Sequence, residues 1–230
     1  ANVGTGITIT TSGYTLSGAD AGKYSLTQPT LSADITVATL TVVGLTGDDK
    51  VYNGTTAGTA SGTATLSGII GADDVSLGGS PVYTFASANV GTGITINTTG
   101  FTTSGTDSGN YTLTQPTLSA DITAATLTVV GLTGDDKNYD GTTAGTATGT
   151  ATLSGIIGAD DVNLGGSPVY TFASANVGTG ITINTTGFTT SGTDSGNYTL
   201  TQPTLSADIT AATLTVVGLT GDDKVYNGTT

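Results

Sequence analysis

The sequence predicts an all-β fold built as a tandem array of near-identical 87-residue modules, and three observations carry that prediction. First, two phrases recur at one spacing. ANVGTGIT begins at Ala1, Ala88 and Ala175, and ATLTVVGLTGDDK begins at Ala38, Ala125 and Ala212, so both give a period of 87 residues. A period this long is one domain-sized unit copied along the chain. Second, the apolar residues alternate with Thr at period two. No stretch carries them at i, i+3, i+4 and i+7, and Thr and Gly are poor helix formers. Third, turn signals fall every ~8–12 residues, the rhythm of an antiparallel sandwich or a grasp-like sheet.

In the second complete copy, strands are predicted near 125–131, 147–154, 161–164, 168–173, 180–184, 197–201 and 204–210. Leu127 and Val129 alternate in ATLTVVG, and Ala151 and Leu153 in TATLSG. The first copy shows Tyr83 and Phe85 in PVYTFAS, Ile94 and Ile96 in GITINTTG, and Tyr111 and Leu113 in NYTLTQ. These runs are β-branched or aromatic and bounded by Gly, Ser, Asn or Asp. Turns are predicted at Gly134–Asp136, Asp140-Gly141, Gly158–Asp161, Gly165-Gly166, Gly178–Gly180 and Ser191–Asp194. IIGADD is long enough for one helical turn and no more.

SADIT runs into AATLTV without a Gly-rich linker, which places a stiff module boundary near 124/125. The organisation is then 1–37, the C-terminal part of a repeat; 38–124 and 125–211, complete modules; and 212–230, the N-terminal part of a repeat. The two end pieces do not complete each other, because together they lack the equivalent of residues 57–87. Strand edges in them are expected to be unpaired. Residues 1–87 and 88–174 differ at 13 positions, and 88–143 and 175–230 differ only at Asn138 against Val225 and Asp140 against Asn227. Near-copies leave no unique place for a single active site.

Composition narrows function further. The chain has no Cys, His, Trp, Met, Arg or Glu; its acidic residues are 17 Asp and its basic residues are Lys23, Lys50, Lys137 and Lys224. A net charge of −13 argues against nucleic acid and against an anionic membrane surface. No apolar run approaches the ~20 residues of a spanning helix, so no membrane insertion is expected. Without Cys or His there is no thiol nucleophile, no thiolate metal site and no Ser-His-Asp arrangement, and the chain is not expected to be an enzyme. The Thr, Ser, Gly and Asp richness suits a solvated outer surface.

The Asp pairs are the candidate metal ligands. Asp48/Asp49, Asp135/Asp136 and Asp222/Asp223 in LTGDDK could supply oxygen ligands to Ca²⁺ at module joints. The GADD pairs Asp73/Asp74 and Asp160/Asp161 share the same acidic-turn character, and the competing reading for all these pairs is that Asp serves as an ordinary turn residue through side-chain-to-backbone bonds. No other cofactor is expected. Lys50, Lys137 and Lys224 stand beside Asp pairs and read as members of solvated ion pairs rather than of a Lys–Asn or Lys–Asp crosslink.

Longer motifs carry a family resemblance. They are KNYDGTT at 137–143 with its variants KVYNGTT at 50–56 and 224–230, ATLSGIIGADDV at 151–162, ANVGTGI at 175–181, and SGTDSGNYTLTQPTLSADIT at 191–210. The repeat resembles the YDG-type and MBG-type modules of large bacterial surface adhesins, including filamentous-haemagglutinin-like proteins. The resemblance implies an elongated, extracellular, all-β stalk or fibre that projects or tethers a functional tip, with adjacent repeats as its partners. Two alternatives keep the same fold. The repeats could bind glycan or another surface multivalently, or identical chains could associate into an extracellular matrix filament.

Overall fold

The computed structural model describes residues 1–229, which divide after Ala124 into two compact units. The first opens with β1 (Gly4–Thr10) and β2 (Thr30–Ile35), an antiparallel pair. A whole module follows: β3 (Ala38–Gly47), β4 (Lys50–Val51), β5 (Ala57–Gly58), β6 (Ala60–Ser67), β7 (Ser76–Phe85), β8 (Gly91–Ser104), β9 (Tyr111–Thr114) and β10 (Thr117–Thr123). The second unit repeats this order as β11 (Ala125–Gly134), β12 (Lys137–Asn138), β13 (Ala144–Gly145), β14 (Ala147–Ser154), β15 (Asn163–Phe172), β16 (Gly178–Ser191), β17 (Tyr198–Thr201) and β18 (Thr204–Thr210). The all-β, repeated architecture expected from the sequence is the one observed.

Each module has two sheets. One has three strands in the order β6-β3-β9, and the other has five in the order β4-β10-β8-β7-β5. The second module forms β14-β11-β17 and β12-β18-β16-β15-β13. Period two explains which side chains turn inward. In β3, Leu40 and Val42 are buried while Thr39 and Thr41 face out. Leu40, Phe85, Ile96 and Ile122 are the largest fully buried side chains of the first module, and Leu127, Phe172, Ile183 and Ile209 stand 87 positions later in the second. Full burial of such a side chain contributes about 1.5–3 kcal/mol, so these four supply much of a small module's stability.

The sheets depart from the sequence expectation in three ways. The expected antiparallel pairing holds for most neighbours, but β3 runs parallel to β9, with Ala38 opposite Tyr111, and β4 runs parallel to β10. Parallel partners need long connections, and local turn signals report only on strands adjacent in sequence. Next, Gly165-Gly166 and Gly178–Gly180 do not end strands. β15 runs through the first and β16 begins on the second, each with a shift in register, because neighbouring ladders hold the strand while a bulge absorbs the extra residue. Gly44 marks a similar slip between Val43 and Leu45. Its φ is +86°, and a Cβ there would lie 2.3 Å from the Thr63 carbonyl oxygen, so only glycine lets β3 and β6 close. Finally, IIGADD forms a hydrogen-bonded turn, with Asp73 N donating to Ile70 O, and no helix. Single 3₁₀ turns occur instead at Ala21–Lys23, Ser108–Asn110 and Ser195–Asn197.

Residues 212–229 form no strand and are exposed throughout. Thr230, the last residue of the expected partial repeat 212–230, lies outside the described residues. Among the described residues, no helix is long and apolar enough to cross a membrane.

Candidate functional site: a lysine clip in each module

The connection between β4 and β5 carries the KVYNGTT motif, and its β12–β13 counterpart carries KNYDGTT. The short parallel pairing of β4 with β10 fixes Lys50, and that of β12 with β18 fixes Lys137. From there each Lys side chain reaches across its own loop. Lys137 Nζ donates to Asp140 Oδ1 at 2.8 Å, to Thr142 O at 2.9 Å and to Ala144 O at 2.9 Å. It lies 5.6 Å from the centre of the Phe172 ring. Lys50 Nζ donates to Asn53 Oδ1 at 3.0 Å, Thr55 O at 2.5 Å and Ala57 O at 2.9 Å, and lies 5.3 Å from the Phe85 ring. The ammonium thus sits among oxygens on one side and an aromatic face on the other, as a bound cation would.

The Asx residue completes the loop. Asp140 Oδ1 also accepts from Thr142 N and Thr142 Oγ1, both at 2.9 Å. The Lys137 bond, then the two Thr142 bonds, pull the Asp140 carboxyl down to about 2. Burial lowers the pKa of Lys50. Gly141 has φ +77° and open space where a Cβ would be, so conformation alone calls for glycine there. The motif therefore combines a cation, an oxygen acceptor, a left-handed residue and a Thr that donates twice, and each of these holds part of the loop.

The expected pairing of Lys with its neighbouring Asp pair is not formed. Lys137 pairs with Asp140, three residues on, and its side chain is only 17% exposed. A Lys beside two carboxylates looks solvated in sequence, which hides this arrangement. The available signal was the recurrence of Lys with Asn/Asp-Gly-Thr-Thr in every copy.

The Ca²⁺ candidates fall in three different settings. Asp49 Oδ1 accepts from Asp121 N at 2.7 Å, and Asp136 Oδ1 accepts from Asp208 N at 2.7 Å. Asp121 and Asp208 in turn accept from Gly93 N and Gly180 N, bracing the bulged starts of β8 and β16. Asp48 and Asp135 donate their backbone N–H to Thr59 O and Thr146 O. Asp222 and Asp223 lie in the exposed segment after β18. Among the described residues, no three acidic side chains come together in a metal-holding group.

The GADD pairs anchor a second, separate part of each module. Tyr111 Oη donates to Asp73 Oδ2 at 2.6 Å and accepts from Ile70 N. Tyr198 does the same with Asp160 and Ile157. The hydrogen bond to Asp73 raises the Tyr111 pKa, and burial followed by the Asp160 bond raises that of Tyr198. Asp74 and Asp161 accept from Thr106 N and Thr193 N, which holds both carboxyls low. No local spacing could have shown a Tyr–Asp bond spanning 38 residues.

The sequence model of the YDG domain matches residues 1–31, 36–118 and 123–205. The chain belongs to the YDG domain family. No curated protein and no solved structure matched it significantly. The three matched segments follow the 87-residue repeat, and the lysine clip lies on the KNYDGTT motif of the second whole module and on its KVYNGTT variant in the first.

Proposed function

We propose that this chain is a structural segment of a long extracellular bacterial adhesin stalk or fibre, which projects or tethers a functional tip. One observation carries the reading: two whole YDG modules share strand order, register and buried residues 87 positions apart. An enzyme gains nothing from copying its whole scaffold almost unchanged. A spacer gains length with each copy, and uniform modules give uniform mechanics. The acidic, Thr-rich surface keeps such an array soluble. The clip fits this role, since it ties down a loop with six hydrogen bonds.

The test is electron microscopy of chains with increasing numbers of modules. Contour length should rise in equal steps, and antibodies to the repeat should label intact cells at their surface. Compact clusters whose size does not follow module number would overturn the proposal.

A second reading has its own observation. A shallow groove of about 480 Å³ lined by Leu45, Thr46, Gly47, Thr95, Leu118 and Ser119 recurs in the second module at about 450 Å³. Repeated hydroxyl-lined grooves suit weak multivalent glycan binding. Binding to a glycan array that rises steeply with module number would favour it over a passive stalk.

A further inference from the structure

Asn53 and Asp140 occupy the same place in the same loop, and one side-chain oxygen of each faces the same three donors. Asn53 Oδ1 accepts from Lys50 Nζ at 3.0 Å, Thr55 N at 3.1 Å and Thr55 Oγ1 at 2.9 Å. Asp140 Oδ1 accepts from Lys137 Nζ at 2.8 Å and from Thr142 N and Oγ1 at 2.9 Å. The residue after Asn53 is Gly54, whose φ is +74°. A third copy of the motif, at 224–230, has the same sequence as the first. There Lys224 Nζ donates to Thr229 O and Thr229 Oγ1, and Asn227 Oδ1 accepts from Thr229 N and Oγ1.

We propose that Asn53 is a self-modification site: its loop deamidates it to Asp, giving the first module the ionised clip that the second has by sequence. The Gly54 backbone nitrogen attacks Asn53 Cγ and loses its proton to solvent. An N–Cγ bond forms, Nδ2 takes a proton from solvent, the Cγ–Nδ2 bond breaks, and Nδ2 leaves as ammonia. Water then opens the five-membered succinimide. Addition at Cγ restores the backbone and leaves Asp; addition at the backbone carbonyl leaves the isoaspartyl form. Nothing is oxidised or reduced, and water is the only co-reactant.

Three features of the loop favour this course. Negative charge develops on Oδ1 in the tetrahedral intermediate, where a cation and two further donors already point. Gly54 carries no side chain to obstruct its own nitrogen. The Asp product fits without rearrangement, as Asp140 demonstrates with shorter bonds to the matching Lys and Thr donors. The isoaspartyl product inserts a methylene into the backbone and withdraws the carboxylate from the cage. Ring opening within the loop therefore favours Asp. The inference does not depend on the stalk reading, because it concerns the chemistry of one loop.

The experiment follows fresh 230-residue chain during incubation in mildly alkaline buffer. A Lys-specific protease separates the peptide bearing Asn53 from the one bearing Asn227, and fragment mass spectra distinguish Asp from isoaspartate. Asn53 is expected to convert faster than Asn227 and mainly to Asp. Lys50→Met should slow conversion about tenfold, less than the loss of a donor in a closed active site, because this loop is open to water. Thr55→Val should also slow it, and Thr55→Ser should restore it. Melting curves show whether Lys50→Met keeps the module folded; if it does not, the Thr55 pair decides. Asn53 that stays intact while Asn227 converts, a mainly isoaspartyl product, or rates unchanged by Thr55→Val would each overturn the proposal.

Discussion

Residues 38–55 and 212–229 have the same sequence and different structures. In the first, Leu40 is 0% and Val42 6% exposed within β3, which pairs on both sides. In the second, Leu214 is 95% and Val216 83% exposed, and no strand forms. The period-two pattern is identical, so the difference lies wholly in the partners. A strand here is a property of the sheet that receives it, and its apolar residues only select the face it presents once a partner exists. The pieces 1–37 and 88–124 make a milder version of the contrast. The shared β-strand pair survives in both, but Leu31 is 54% exposed where its module counterpart Leu118 is partly covered.

The largest expected break in this comparison is at one glycine. Gly44→Ala places a Cβ against the Thr63 carbonyl oxygen and should lower the first unit's stability by about 3 kcal/mol or more. Gly218→Ala, with the same neighbours in sequence, φ +80° and nothing within 4 Å, carries only the conformational strain and should cost about 1 kcal/mol or less. Calorimetry of both variants checks this, and equal losses would mean that local strain alone decides.

Next in size is the core. Leu40→Ala should cost about 2–5 kcal/mol through lost burial and the cavity left behind. Leu214→Ala should cost nothing measurable. Urea melts compare the two, and a shared loss would show that 212–229 is covered in solution.

A gain of about 1 kcal/mol is expected from Thr98→Val, and equally from Thr185→Val. Both hydroxyls are buried without a hydrogen-bond partner in their modules. The matching residue in the first piece, Thr11, is bonded to Pro29 O at 2.6 Å. Thr11→Val should therefore bring no gain, and urea melts of the three variants sharpen the contrast.

The smallest effect is the pH dependence of the clip. The folded-state pKa of Asp140 is depressed to about 2, so its contribution is present above the unfolded value near 3.9 and is lost as pH falls through about 2. Asn53, at the same place, has no such dependence. Asp140→Asn should lessen the acid limb of the second unit's stability profile, to which Asp161 also contributes, and Asn53→Asp should deepen the one that Asp74 gives the first. Acid titration followed by circular dichroism reads both.

Much of this molecule was written in local pattern. The repeat length, the all-β class, the inward set Leu40, Val42, Phe85 and Ile96, and most turns follow from period two and from Gly, Asn and Asp placement. Those are short-range matters of sterics and hydration, and every residue carries them wherever it stands. The tertiary structure decided what depends on distant partners. It set the parallel pairing of Ala38 with Tyr111, turned Gly165-Gly166 from a turn into a bulge, and brought Tyr111 to Asp73. It also moved Lys137 from its adjacent Asp pair to Asp140 and the carbonyls beyond. Pairing free energy exists only when both strands are present, and a lysine chooses among acceptors only once a fold has aligned them. Identical residues at 38–55 and 212–229 therefore reach different ends.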